Sequence, residues 1–142
     1  MKISEIMTKN VEIIAPGASL ADAAKRMKAL NIGCLPVSDG DRLIGMITDR
    51  DLVIRGMAEQ KDCLTTQIKD SMTSPVVYCF EDQTVEEMAR IMEVKQVRRI
   101  VVMGRDQSLK GIASLDNLAQ RRDLAGEVLS RVTNSFGHKT AA

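Results

Sequence analysis

A chain of 142 residues, 44% hydrophobic and 27% charged, suffices for one compact domain or two small, closely packed units, and it is too apolar to stay disordered. Its 20 basic side chains face 19 acidic ones, and Tyr78, Phe80 and Phe136 are its only aromatic residues. That balance excludes the charge footprint of a nucleic-acid or anionic-membrane binder, and it leaves no stacking platform for single strands.

Along the chain, the same elements come twice. Ile3-Ser4-Glu5-Ile6-Met7-Thr8 returns as Ile68-Lys69-Asp70-Ser71-Met72-Thr73, an offset of 65 residues. Short strands follow at Val11–Ala15 and Val76–Phe80, rich in residues that favour extended backbone. After a turn, Ser19 and Thr84 are good helix N-caps, with Asp22 and Glu87 three positions on as capping-box partners. The helices they open are amphipathic. Leu20, Ala23, Ala24, Met27 and Leu30 form one apolar stripe, and Val85, Met88, Ala89 and Met92 form the other.

The next strands are Leu35–Val37 and Ile100–Met103, with polar turns at Asp39–Asp41 and Gly104–Gln107. Leu43–Ile47 and Leu109–Ala113 close the two hairpins, at an offset now of 66 after one inserted residue. A last helix starts near Asp49 in copy one and near Leu115 in copy two. The expected divisions are 1–60 for copy one, 61–67 for a polar linker, 68–125 for copy two, and 126–142 for a C-terminal helix and tail. Two copies of about 60 residues are too few for a solenoid, so they are expected to bury their apolar faces against each other.

The chemistry concentrates at Gly45-Met46-Ile47-Thr48-Asp49-Arg50-Asp51-Leu52. A buried strand ends at Ile47 and a helix begins at once. Thr48 caps that helix, and Asp51 lies on the same side of its first turn. A carboxylate accepts two hydrogen bonds and so suits a vicinal diol such as that of ribose, while the same T-x-x-D is also an ordinary cap.

Taken in order and repeated twice, these pieces resemble the CBS domain, and the tandem pair resembles a Bateman module. Asp70-Ser71-Met72-Thr73, Leu35-Pro36-Val37-Ser38-Asp39 and Leu43–Leu52 carry the likeness, which covers residues 3–122. It implies an α+β fold of two β-α-β-β-α repeats paired by pseudo-two-fold symmetry, sheets face to face and helices outside. It also implies an adenosine-containing ligand: AMP, ADP, ATP, NAD(H) or an S-adenosyl compound. By the resemblance, Thr48 and Asp51 hold the ribose, while Ile47, Val76, Val77 and Val97 line the adenine pocket. Arg98 and Arg99, with Arg50, meet phosphate. Ser114 and Asn117 form a second, weaker site, because Asn117 stands where an Asp is expected and Gly33-Cys34 stands in copy one where copy two has Arg98-Arg99.

The expected role is therefore a regulatory sensor acting by conformational or oligomeric change on an unidentified protein target. The alternative is a ligand-independent dimerisation scaffold, a homodimer built on Leu52, Ile54, Leu118 and Leu124. No catalytic residue or catalytic cofactor is expected. His138 is the only histidine and falls in the tail, Asp49 and Asp51 point apart on a helix, and no cysteine has a basic partner. Cys34, Cys63 and Cys79 show no C-x-x-C spacing, so no metal site is expected and the thiols read as reduced, in a cytoplasmic protein. Neither a leader nor the ~18 apolar residues of a membrane span is seen.

Overall fold

The computed structural model describes residues 1–120 together with 126 and 130. The expected C-terminal stripe (Leu124, Val128, Leu129, Val132), the tail and His138 lie outside the described residues. In chain order the elements are β1 (Thr8–Lys9), α1 (Leu20–Leu30), β2 (Cys34–Asp39), β3 (Arg42–Thr48), α2 (Asp49–Asp51), β4 (Tyr78–Phe80), α3 (Val85–Lys95), β5 (Arg99–Met103), β6 (Leu109–Ser114) and α4 (Leu115–Ala119). The chain forms two compact units, Val11–Val76 and the combination of Met1–Asn10 with Val77–Ala142. Sequence copy and compact unit are therefore not the same thing, since each copy's opening segment belongs to the unit built by the other copy.

In the unit Val11–Val76, β2 and β3 form an antiparallel hairpin with a register shift at Val37/Ser38. The strand expected over Val11–Ala15 shrinks to a single parallel bridge from Ile14 to Val37. On the other edge, Thr73 bridges Met46, with Met46 N donating to Thr73 O at 3.0 Å and Thr73 N to Met46 O at 2.8 Å. The stretch expected as linker is tied to the start of α1. Leu20 N donates to Thr66 O at 3.1 Å and Ala21 N to Cys63 O at 2.9 Å, which occupies two N–H groups a helix start leaves unpaired.

The other unit repeats this arrangement with longer edges. Its sheet runs β1-β6-β5-β4, with β4 and β5 parallel and the other pairs antiparallel. Thr8 pairs with Ile112, Cys79 with Val102 and Arg99 with Ser114. The β5–β6 register shift, at Val102/Met103, is the counterpart of the one in the β2–β3 hairpin. The inserted residue is thus absorbed in the turn, and both hairpins keep one register. Val85 N donates to Met1 O at 3.0 Å, as Leu20 N does to Thr66 O.

Both long helices are capped reciprocally. Asp22 N donates to Ser19 Oγ at 3.0 Å and Ser19 N to Asp22 Oδ2 at 3.2 Å, which lowers the Asp22 pKa. Thr84 N donates to Glu87 Oε2 at 2.8 Å, and Glu87 N to Thr84 Oγ1 at 3.2 Å. Both helices end on a left-handed residue, Asn31 at φ 53° and Gln96 at φ 55°.

Each unit has its own core. Ile14, Leu20, Ala23, Met27, Leu35, Val37, Ile47 and Ile68 fill one; Ile3, Met88, Met92, Ile100, Val102 and Leu118 dominate the other. Burying each such side chain contributes roughly 1.5–3 kcal/mol. The α3 stripe is buried as expected, whereas Ala24 and Leu30 of α1 are exposed. Leu20, Ala23 and Met27, at spacings of three and four, already cover the two-stranded hairpin, so the buried stripe is narrower. Leu118, expected on an exposed face, is wholly buried, because α4 packs into the unit's core.

Candidate functional site

Strand β3 delivers Thr48 to the mouth of α2, where backbone leaves the extended region (φ −116°, ψ 163°) and turns helical. Asp51 N donates to Thr48 Oγ1 at 3.1 Å and Thr48 N to Asp51 Oδ2 at 3.0 Å. Asp49 N donates to Gly33 O at 2.9 Å, which pins the helix start to the residue before β2. Asp51 keeps only 7% of its surface exposed. A carboxylate so buried needs donors or a counter-charge, and from outside the capping box Thr73 supplies the first and Arg55 the second.

The Thr73 hydroxyl donates to Asp51 Oδ1 at 3.3 Å and to Oδ2 at 3.4 Å. Arg55 places Nε 3.9 Å from Asp51 Oδ1 and donates from Nη1 to Met72 O at 2.9 Å. Arg55 lies in a stretch where the helix widens after Asp51. Over Leu52–Met57 it is π-type, with Ala58 N donating to Val53 O at 2.8 Å and Lys61 N to Gly56 O at 3.0 Å. Such turns recur at functional sites. Neither Thr73 nor Arg55 was among the sequence candidates. The repeated Met-Thr of the two opening segments was a signal for Thr73; Arg55 had none.

Gly45 lets the opening segment lie this close. A Cβ there would stand 2.5 Å from Met72 Sδ and 3.1 Å from Thr73 O. At the counterpart, Gly111, a Cβ would collide with the Thr8 carbonyl oxygen.

The second cap keeps the geometry and changes the chemistry. Ser114 N and Ser114 Oγ both donate to Asn117 Oδ1, at 2.8 Å and 3.0 Å, and Asn117 N donates to Ser114 Oγ at 3.3 Å. Asn117 Nδ2 donates to Thr8 Oγ1 at 3.3 Å. Leu115 N donates to Arg98 O at 3.2 Å, and Arg99 pairs with Ser114 in the ladder.

The sequence candidates therefore fall into two groups. Thr48, Asp51, Arg50, Ile47 and Val76 lie in the unit Val11–Val76; Val77, Val97, Arg98, Arg99, Ser114 and Asn117 lie in the other. Arg50 is exposed and Val76 half-buried. Val77 and Val97 are half-buried against their unit's core. Ile47 is wholly enclosed in the core of its unit, so its side chain serves packing there. Among the described residues no group of three or more His, Cys, Asp or Glu could hold a metal ion, and no helix is long and apolar enough to cross a membrane.

A mixed α+β chain of two equivalent units, each with a Ser/Thr cap and an Asx residue at one helix start, is a tandem two-unit module. The chain belongs to the CBS domain family, whose profile matches residues 3–57 and 67–123. It is 37% identical over 137 residues to YlbB of Bacillus subtilis (strain 168), covering 93% of this chain and 91% of YlbB. A crystal structure of Hypoxic Response Protein I with two coordinated zinc ions aligns with TM-score 0.76 and 34% identity, over 85% of this chain and 98% of that one. CBSX2 in complex with AMP aligns with TM-score 0.71 and 25% identity, over 84% of this chain and 93% of that one.

Proposed function

We propose that this tandem CBS module is a sensor for an adenosine-containing nucleotide, with Thr48 and Asp51 holding the ribose diol. The observation that carries the reading is the state of Asp51, an anionic side chain buried at a helix start with its lone pairs only partly used. Two oxygens offer about four acceptor sites. Thr48 N–H takes one and the Thr73 hydroxyl, shared between both oxygens, takes another. Two remain, matching the two donors of a vicinal diol. The AMP held by CBSX2, an aligned CBS structure, supports the ligand class.

Val76, Val77 and Val97 as adenine contacts, and Arg98, Arg99 and Arg50 as phosphate contacts, rest on the family resemblance. So do the homodimer and the target protein. Binding would act by population shift, favouring whichever conformation holds the nucleotide better. Isothermal calorimetry with AMP is the test. Asp51→Ala should weaken AMP binding at least ~10-fold, about 1.4 kcal/mol. Wild-type protein that ignores AMP, ADP, ATP, NADH and S-adenosylmethionine alike would end the proposal.

A second reading, a ligand-independent scaffold, is favoured by Val53, Ile54 and Met57, which are 51%, 48% and 75% exposed on the helix after Asp51. It predicts a sedimentation coefficient unchanged by nucleotide.

A further inference from the structure

Thr73 and Arg55 both follow Asp51 in the sequence, at very different distances. Thr73 sits in the opening segment of copy two and reaches back 22 residues to the carboxylate. Arg55 stands one turn beyond Asp51 and holds the neighbouring Met72 carbonyl. Two side-chain links thus connect one carboxylate to one stretch of backbone, Met72–Thr73. That stretch is further fixed by the Met46–Thr73 backbone pair, by Ser74 Oγ donating to Ile44 O at 3.0 Å, and by the wholly buried Ile68. At Val76 the chain leaves this unit.

We propose that Thr73 and Arg55 form a strap between Asp51 and the opening segment of copy two, so that a diol bound at Asp51 tightens segment 68–76. The inference rests on the nucleotide reading of Asp51 given above. The donor count sets its direction. A diol fills the two unused acceptor sites and displaces neither Thr48 nor Thr73. The Thr73 hydroxyl keeps donating to the same carboxylate, so a diol that fixes the carboxylate's orientation also fixes the acceptor that Thr73 holds. The bound diol and the two side chains of the strap then meet at one carboxylate. By linkage, whatever binding adds to the hold on the segment, the segment adds to binding.

The test combines AMP calorimetry with amide hydrogen exchange on the intact chain. The reporter is the Thr73 amide, which is bonded to Met46 O. Saturating AMP should slow its exchange about five-fold or more. In Thr73→Val, AMP should bind about five-fold more weakly and leave that exchange rate unchanged, and Thr73→Ser should restore both effects. Arg55→Met should speed exchange at Thr73 in the ligand-free protein. AMP binding that is lost in Asp51→Ala but leaves Thr73 exchange untouched in wild type overturns the strap alone. Failure of wild type to bind AMP or the other adenosine compounds overturns the site with it. Loss of exchange protection across the whole Val11–Val76 core in Thr73→Val would mean that Thr73 serves stability instead, and would also overturn the strap.

Discussion

At the start of α2 a carboxylate only collects hydrogen bonds; at the start of α4 an amide collects two and gives one away. Asp51 and Asn117 occupy equivalent places, each facing a capping hydroxyl and a threonine from an opening segment. Yet Asn117 has a single acceptor oxygen, and Ser114 N–H and Ser114 O–H together use both of its lone pairs. A diol approaching Asn117 meets no vacant acceptor, whereas one approaching Asp51 meets two. One nitrogen in place of one oxygen therefore separates a carboxylate with two vacant acceptor sites from an amide oxygen with none.

The largest expected effect concerns the close approach of an opening segment beside each cap. Gly111→Ala drives a methyl into the backbone carbonyl of Thr8, while Gly45→Ala mainly meets the flexible end of Met72. Urea denaturation should show Gly111→Ala costing about 2 kcal/mol or more and Gly45→Ala about 1 kcal/mol. Equal costs would mean that the Met72 side chain yields no more readily than the Thr8 carbonyl.

Next in size is the conversion of one cap into the other. Asn117→Asp should let Thr8 donate as Thr73 does, and should raise AMP affinity at the second cap about 10-fold. Calorimetry would show a second binding event, and an unchanged isotherm would show that the carboxylate is not what distinguishes the caps.

The smallest effect follows from Cys79, which stands where copy one has Ile14. Burial pushes its thiol up from 9.0 to about 12. The folded state thus favours the protonated thiol, and the unfolded chain ionises first. This contribution is complete below pH 9 and is lost as the pH rises from 9.0 toward about 12. Cys79→Val should therefore show a shallower loss of stability between pH 8 and pH 10 than wild type does. Parallel pH profiles for the two proteins would contradict this.

Local patterns carried much of this into the sequence. The capping boxes at Ser19, Thr84, Thr48 and Ser114 depend on residues three apart, and all four form. The hairpins were legible from strand residues flanking polar turns. What escaped was non-local. The bond from Thr73 to Asp51 spans 22 residues, and Asn117 to Thr8 spans 109. The strand expected at Val11–Ala15 has the right residues but finds one partner, Val37, so it ends as a bridge. Leu118 looked like half of an exposed stripe because the sequence does not say which side of a short helix meets the core. Arg55 sits in a π-type turn, which no residue pattern announced.

The exchanged opening segments put the repeat and the fold out of step. A protein cut at the copy boundary, near residue 67, would carry its own arm, residues 3–8, with no β6 to receive it, and an open edge at β3 where Thr73 now sits. Such a half becomes whole only by trading arms with another molecule, at a rate that depends on concentration. Joining two copies end to end makes the trade internal, so this chain can complete both units at any dilution.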